Sequence, residues 1–569
     1  TDGDGTGNNR DVDDDDDGVL DVNDAFPLDE AEWLDTDGDS EGNNADLDDD
    51  NDTYPDLIDG LPLDATKQLA PFGLTEVSLE RIAWTASIES PDVVYTVCEK
   101  DAAQENACQV LVTVDGATTE TMMPNGSLLK YLEEEASFFV MASVPSGDTE
   151  QTSELSYSTS TSDLLEYQQY LKASNAGEDD NFGAELALSG DGRVLAVGVL
   201  YEDSGDVTTP EDDEKSYSGA VYIYRDLENN GRWTQTAYLK ATTPVDNDYF
   251  GRSVSISQDG HRLAVGADTS VTVLDYDETT ERWSESYVVT GGLFSSFGID
   301  VALSAADGKT LVVGASHESK AYVYQELETG WEEKAQLTIE SLDTNDSFGN
   351  NLMVSGDGSV IAIAALGESS GVVGDREDNS APESGAIYTF RYNEAQATWL
   401  EDSSSYLKLH KDEVVYEGCG FSVRGLSLDG SVMAASCAPY SDHAVMVVYR
   451  YNSALARWEE SAPLSDEYTA GTGLALSGDG HTIAYNIINY PVFNQGSVLM
   501  YRYDAINDMW NERAVMTVAN GDDSDYFGFA ISLSVDGNTL AAGAPLEDAS
   551  ADGGPTNNDE LDSGAVYVF

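Results

Sequence analysis

Five aspartates, Asp13, Asp15, Asp17, Asp21 and Asp24, stand at positions 1, 3, 5, 9 and 12 of one loop, with Gly18 at position 6. Alternate residues turn their oxygens inward while the chain wraps a hard cation, and Ca²⁺ takes roughly six to eight such oxygens. The pattern returns at Asp48, Asp50, Asp52, Asp56 and Asp59, where Thr53 stands in the place of the glycine. A second loop type precedes each: Asp35, Asp37 and Asp39, then Asn44 and Asp46. In the first copy only Asp2, Asp4, Gly7-Asn8-Asn9 and Asp11 remain of it, because the match to Asp35 would fall before Thr1. The chain therefore reads as a piece of a longer protein. Several Ca²⁺ ions are the expected cofactor.

Residues 1–68 hold almost no apolar side chains, so without ions this segment is expected to be disordered. Pro27 and Pro62 follow the loops closely and argue against flanking helices. The 569 residues carry 107 acidic and 26 basic side chains, a net charge of −81. Such a charge repels nucleic-acid phosphates and anionic membrane surfaces. No apolar run is long enough to span a bilayer, so direct membrane insertion is not expected. Four cysteines fall in two local pairs, Cys98 with Cys108 and Cys419 with Cys437, which fit disulfides in a secreted or cell-surface protein.

Residues 69–160 change character. Alternating runs around Trp84, Val93 to Cys98, Gln109 to Val114 and Ser137 to Val144 predict a β-sandwich, read as a spacer. From about residue 165 to 569 one order of parts recurs. A Phe-Gly pair opens an alternating run (A); an Asp-Gly turn leads to an apolar run (B); a Tyr-rich run follows (C); a Trp introduces the last (D). The glycines Gly183, Gly251, Gly298, Gly349, Gly420, Gly473 and Gly528 mark seven units, with Cys419-Gly420 and Thr472-Gly473 replacing Phe-Gly in the fifth and sixth. Four strands per unit predict a seven-bladed β-propeller. The last unit ends on its C run at Phe569, so an early strand at 167–172 is expected to complete that blade and close the ring. The fold class expected is all-β: an irregular acidic repeat stalk wrapped on Ca²⁺, then a sandwich, then the propeller.

The Phe-Gly units resemble the FG-GAP repeats of integrin α-subunit propellers, and look still more like bacterial surface proteins with such repeats. The acidic loops resemble thrombospondin type-3 repeats, which wrap a string of Ca²⁺ ions in place of a core. The sandwich resembles a fibronectin type III domain. Integrin propellers carry Asp-rich Ca²⁺ loops at some A–B turns; here those turns are short Asp-Gly hairpins, so such sites are not carried over.

Length and charge vary instead in the B–C and D–A loops. The B–C loops of units one, four and seven are long and acidic, and Glu202, Asp203, Glu547 and Asp548 are the candidate ligand-facing residues. Five scattered histidines form no metal motif. One G-x-S-x-G, Gly367 to Gly371, opens a loop in an all-β unit rather than joining a strand to a helix. The reading is accordingly not an enzyme but a Ca²⁺-dependent adhesin-like protein, binding an extracellular protein or glycan. Self-association as a subunit of an extracellular filament or matrix, and a propeller-scaffold carbohydrate-active enzyme, are the alternatives.

Overall fold

The computed structural model describes residues 8, 10–87, 92–100, 107–123, 127–145, 147–208, 210, 214–292, 295–342, 344–371, 378, 380–402, 406–408, 410–411, 414–415, 422–437, 445–461, 464, 470–487, 496–518, 524–550 and 559–569. Two compact units are present, residues 1–124 with 134–158, and residues 125–133 with 159–569.

In the first unit the described residues of the acidic segment form no strand, and their one regular element is a single 3-10 turn, Asp56–Ile58. The Asp148 carboxylate accepts the N–H groups of Gln68 and Leu69 at 2.9 and 3.0 Å, where that segment meets the β-structure. Leu74–Val77, Arg81–Trp84 and Glu120–Met122 make a three-stranded antiparallel sheet. Cys108–Asp115, Val94–Lys100, Ala136–Ser143 and Thr149–Gln151 make a second, and Leu155–Tyr157 also pairs with Ala136–Ser143. Alternation puts Tyr95, Val97, Phe138 and Val140 in the core, all fully buried. The Phe72 and Trp84 rings each lie 5.6 Å from Tyr95. A disulfide joins Cys98 to Cys108 across neighbouring strands. Cys419 and the side chain of Cys437 lie outside the described residues, and so does that pairing.

Residues 125–133 were expected within the sandwich but pack in the second unit. Their short helix, Ser127–Lys130, buries Leu128 and Leu129. Leu128 O accepts the Thr159 hydroxyl at 2.6 Å, and Arg502 Nη2 donates to Leu129 O at 3.3 Å.

Among the described residues the rest of the second unit holds seven four-stranded antiparallel sheets and one two-stranded sheet, His410–Lys411 with Val414–Val415. Sheet one is Glu185–Leu188, Val194–Val199, Ala220–Arg225 and Thr234–Leu239; sheet two is Ser253–Ile256, Arg262–Gly266, Ser270–Asp277 and Arg282–Thr290. Sheet three is Phe297–Leu303, Thr310–Ala315, Lys320–Leu327 and Gly330–Leu337; sheet four is Phe348–Val354, Val360–Ala365, Ala386–Asn393 and Thr398–Glu401. Sheet five is Ser422–Leu426, Val432–Cys437, Val445–Asn452 and Arg457–Glu460; sheet six is Ala470–Leu476, Thr482–Ile487, Ser497–Asp504 and Met509–Met516. Sheet seven takes Ile531–Leu533, Leu540–Ala544 and Ala565–Val568 from one end of the unit and Gln169–Leu171 from the other, with Leu171 opposite Val566.

The first strand of each sheet packs on the first two strands of the sheet before it, and the first sheet packs in the same way on the seventh. Among the described residues, apolar clusters fill the spaces between neighbouring sheets from seven through one to six. Second strands are therefore covered on both faces. Val194–Val199, Thr310–Ala315 and Val360–Ala365 are buried at every residue, which is why they read as continuous apolar runs. Fourth strands alternate, as in Arg282–Thr290, because one face meets solvent.

The Phe-Gly pair serves this packing. Phe182 is fully buried, with its ring 5.5 Å from Tyr222 and 6.0 Å from Tyr224. Gly183 has φ +95°, and a Cβ there would meet Ala565 O at 2.5 Å. Sheet six corrects one sequence assignment. Ala470 pairs with Ile487 as Phe297 pairs with Ala315 and Phe348 with Ala365, so Gly471, not Gly473, is the counterpart of Gly298 and Gly349. Cys419-Gly420 lies outside the described residues. Trp283, Trp331, Trp458 and Trp510 face arginines from the preceding sheet. The Arg391 guanidinium sits 3.5 Å from the Tyr451 ring centre and 5.7 Å from Trp458, and Arg450 repeats this at 3.7 Å from Tyr503 and 5.9 Å from Trp510.

Candidate metal centre

Each acidic loop is built by its own carboxylates accepting backbone N–H groups. Asp13 accepts from Asp16 at 3.0 Å and from Gly18 at 3.2 Å. Oδ1 of Asp15, Asp17 and Asp24 accepts from the residue two further on, at 3.3, 2.7 and 2.7 Å. The second copy repeats the scheme. Asp48 accepts from Asp52 and Thr53, at 3.2 and 3.1 Å, and Asp50, Asp52 and Asp59 accept from Asp52, Tyr54 and Leu61. Those bonds curl the chain; Asp13 and Asp48 accept through both oxygens, whereas Asp15, Asp17, Asp24, Asp50 and Asp59 accept through Oδ1.

The other oxygens decide the chemistry. Oδ2 of Asp15, Asp17 and Asp24, and of Asp50 and Asp59, is buried with no hydrogen-bond partner. Ligand oxygens of Asp13, Asp15 and Asp17 lie within 4.8 Å of one another, as do those of Asp48, Asp50 and Asp52, and of Asp35, Asp37 and Asp39. A carboxylate oxygen only accepts, so a buried and bare one is costly unless a cation completes it. The residues present therefore fit Ca²⁺. Burial first, then neighbouring carboxylates, push the Asp15 and Asp50 carboxyls up, and Asp59 to about 6, against the opposing backbone N–H bonds.

Asp21 and Asp56 do not join these groups through the oxygens they use. Asp21 Oδ1 accepts the Asp14 N–H at 2.8 Å, and Asp56 Oδ1 that of Asp49 at 2.9 Å. Asp14 and Asp49, which the alternating pattern pointed away from the ion, each carry a buried and unpartnered Oδ1. Burial first, then Asp56, pushes Asp49 to about 6. The sequence signal for them was only that both copies have Asp at that place. Asn44 Nδ2 donates to Ala31 O at 2.6 Å and its N–H to Glu32 Oε2 at 3.0 Å, while Asn43 Nδ2 donates to Asp49 Oδ2 at 3.0 Å. Asp11 and Asp46 cap their own next residues, Val12 and Leu47. Asp2 and Asp4 lie outside the described residues.

In the second unit the expected ligand face needs correction. Glu202 and Glu547 are 2 % and 3 % exposed, and each is locked in an ion pair. Lys240 pairs with Glu202 and donates to Ser218 Oγ at 2.7 Å, while the Tyr238 hydroxyl donates to Glu202 Oε1 at 2.6 Å. Lys172 pairs with Glu547 at 2.9 Å, beside Ser563 and Tyr170. Lys408, Glu368, Ser384 and Tyr406 form the same knot in sheet four. The three knots tie down the long B–C loops. Asp203 and Asp548 close them, accepting the N–H groups of Tyr217 and Asp562. Glu368 and Ser370 fill the variable places of the G-x-S-x-G stretch, and its motif serine, Ser369, is half-buried and donates its hydroxyl to Gly367 O at 2.9 Å.

The first strands gather another charged set that the sequence reading missed. Burial first, then Asp300, pushes Glu185 to about 8, opposed by Arg424 and Arg252. Burial likewise pushes Asp300 to about 7, against donation from the Leu352 N–H at 2.8 Å and the charge of Arg424.

The FG-GAP repeat family model matches residues 233–278 and 510–569. No curated protein matches the sequence. Among solved structures the chain is similar to a periplasmic gluconolactonase of Pseudomonas aeruginosa, at 14 % identity and TM-score 0.39, covering 76 % of this chain and 98 % of that one. It is also similar to the WD40 repeats of RRP9, at 12 % identity and TM-score 0.41, covering 71 % and 97 %, and to a Lactobacillus plantarum protein, at 13 % and 0.40, covering 78 % and 97 %. The neighbours have propeller-like folds. The expectation that the chain is not an enzyme is corrected here: with a gluconolactonase among similar structures, that exclusion does not stand, although a likeness this distant assigns no reaction. Among the described residues no helix is long and apolar enough to cross a membrane.

Proposed function

We propose that this chain is a calcium-dependent extracellular binding protein of the adhesin kind. The observation that carries the reading is the set of buried, unpartnered carboxylate oxygens of Asp15, Asp17, Asp24, Asp50 and Asp59. In this reading residues 1–68 are thrombospondin type-3-like repeats that take several Ca²⁺ ions, with Asp14 and Asp49 as ligands beside Asp21 and Asp56. The strand order of the two small sheets supports a fibronectin type III-like sandwich. The seven sheets are the blades of one propeller; the pairing of Gln169–Leu171 with Ala565–Val568 and the packing of sheet one on sheet seven support closure. The propeller engages an extracellular protein or glycan through its B–C and D–A loops. The test is calorimetric titration with Ca²⁺, alongside protease digestion with and without chelator. Expected are several binding events and a segment 1–68 that chelator renders cleavable. A titration without heat, with identical digestion patterns, would falsify the reading.

A further inference from the structure

Three tyrosines on the long-loop side of sheets one and two touch one another. The Tyr201 ring lies 5.5 Å from Tyr217 and 6.2 Å from Tyr249, edge-on to both, and the Tyr217 and Tyr249 rings lie 6.1 Å apart and within 13° of parallel. Tyr201 and Tyr217 are 36 % and 42 % exposed. Tyr217 and Tyr249 sit at φ 55° and 54°, a left-handed backbone that a bulky side chain rarely adopts.

That backbone belongs to the fold, but the side chains do not. The residue before the first-strand Phe-Gly is left-handed at Asn181, Ser296, Ser347 and Tyr526 as well, and the residue before the third-strand Ser-Gly is so at Glu383 and Asp562. Small or polar residues fill most of these places. Between sheets seven and one the equivalent pair is Asp562 with Asn181, joined as Tyr217 is joined to Tyr249, by one N–H to carbonyl bond at 3.0 Å. Sheets one and two alone, among the described residues, bring Tyr to both positions and add Tyr201 across them. Two residues in the same conformation, joined by that bond, present their rings side by side. Packing does not explain the choice, because two of the three rings face solvent.

We propose that Tyr201, Tyr217 and Tyr249 form a stacking platform for sugar rings of a neutral polysaccharide. This rests on the reading that the loop face binds a ligand, and names the ligand class. The C–H faces of a pyranose lie flat on aromatic rings, and sugar hydroxyls donate to acceptors. The surroundings supply acceptors: exposed Asp246 lies three residues before Tyr249 in the same loop. The net charge of −81 repels acidic chains.

The test is affinity electrophoresis of the full chain in Ca²⁺, through gels containing hydroxyethylcellulose, mannan, galactan or dextran, with alginate as the acidic comparison. A Tyr217→Asn/Tyr249→Asn variant keeps residues that accept the left-handed backbone, and Tyr217→Phe keeps the ring. Expected are retardation by at least one neutral polymer, at least about a tenfold weaker constant for the double variant at an unchanged melting temperature, and retention in Tyr217→Phe. Equal retardation of wild type and double variant overturns the platform but leaves the binding reading standing. No retardation by any neutral polymer, or retardation by alginate alone, also overturns it. If the wild type in addition fails to bind cells with Ca²⁺ present, the broader reading falls with it.

Discussion

Asp49 donates its backbone N–H to Asp56 Oδ1 at 2.9 Å, and the Asp49 side chain buries an oxygen that nothing in the chain satisfies. The bond holds two carboxylates together, which is unfavourable without a cation between them. Asp49→Asn removes one charge and keeps the shape. It is expected to weaken Ca²⁺ binding by at least about tenfold, while making the calcium-free chain less expanded. Calorimetry and small-angle scattering in chelator measure the two effects; unchanged affinity would count against Asp49 as a ligand.

Thr53 stands at φ 85°, where the first loop has Gly18 at φ 95°. A β-branched residue there is strained, at a cost of roughly 1–3 kcal/mol. Thr53→Gly relieves the strain and is expected to tighten Ca²⁺ binding at the second loop, whereas Gly18→Thr weakens the first. Titration of both variants decides it; a weaker second site in Thr53→Gly would refute the strain argument.

Lys408 and Glu368 are buried in sheet four, 0 % and 3 % exposed at their side chains. Lys408→Met leaves the glutamate charge buried and unpaired, costing about 3–5 kcal/mol. The double variant Lys408→Met/Glu368→Leu is expected to recover most of this. Denaturation midpoints of the two variants should therefore differ clearly, and equal midpoints would show that the pair is not coupled.

Burial first, then the charge of Asp300, pushes the Glu185 carboxyl up from its ordinary 4.5 to about 8. Its raised value means the folded chain holds the proton more tightly. That stabilisation is complete below about pH 4.5 and is lost as pH rises through about 8. At about 1.4 kcal/mol per unit, the loss is at most a few kcal/mol. Glu185→Gln stays uncharged, so its melting temperature relative to wild type is expected to climb between pH 5 and pH 9. A constant difference across that range would show that Glu185 is already ionised at pH 5.

The strand grammar was legible in the sequence because periodic packing demands periodic residues: Phe182 fills the space beside Tyr222 and Tyr224, and Gly183 is imposed by the close approach of Ala565. In sheet six two glycines flank Thr472, and only the pairing of Ala470 with Ile487 selects Gly471. Glu202 and Glu547 read as solvent-facing because their lysines are far away in sequence, 38 and 375 residues. Asp14 and Asp49 escaped because strict alternation points them away from the loop centre, while the fold buries an oxygen of each. The tyrosine trio was invisible, since it depends on two loops meeting.

The pairing of Leu171 with Val566 also sets a timetable. On a ribosome the first of these strands is made hundreds of residues before its partner, and it must wait. Sheet seven is thus the last to assemble, and the strand edges of its neighbours stay uncovered until then. A nascent chain of this design carries residues 169–171 without their strand partner until residues 566–568 have been made.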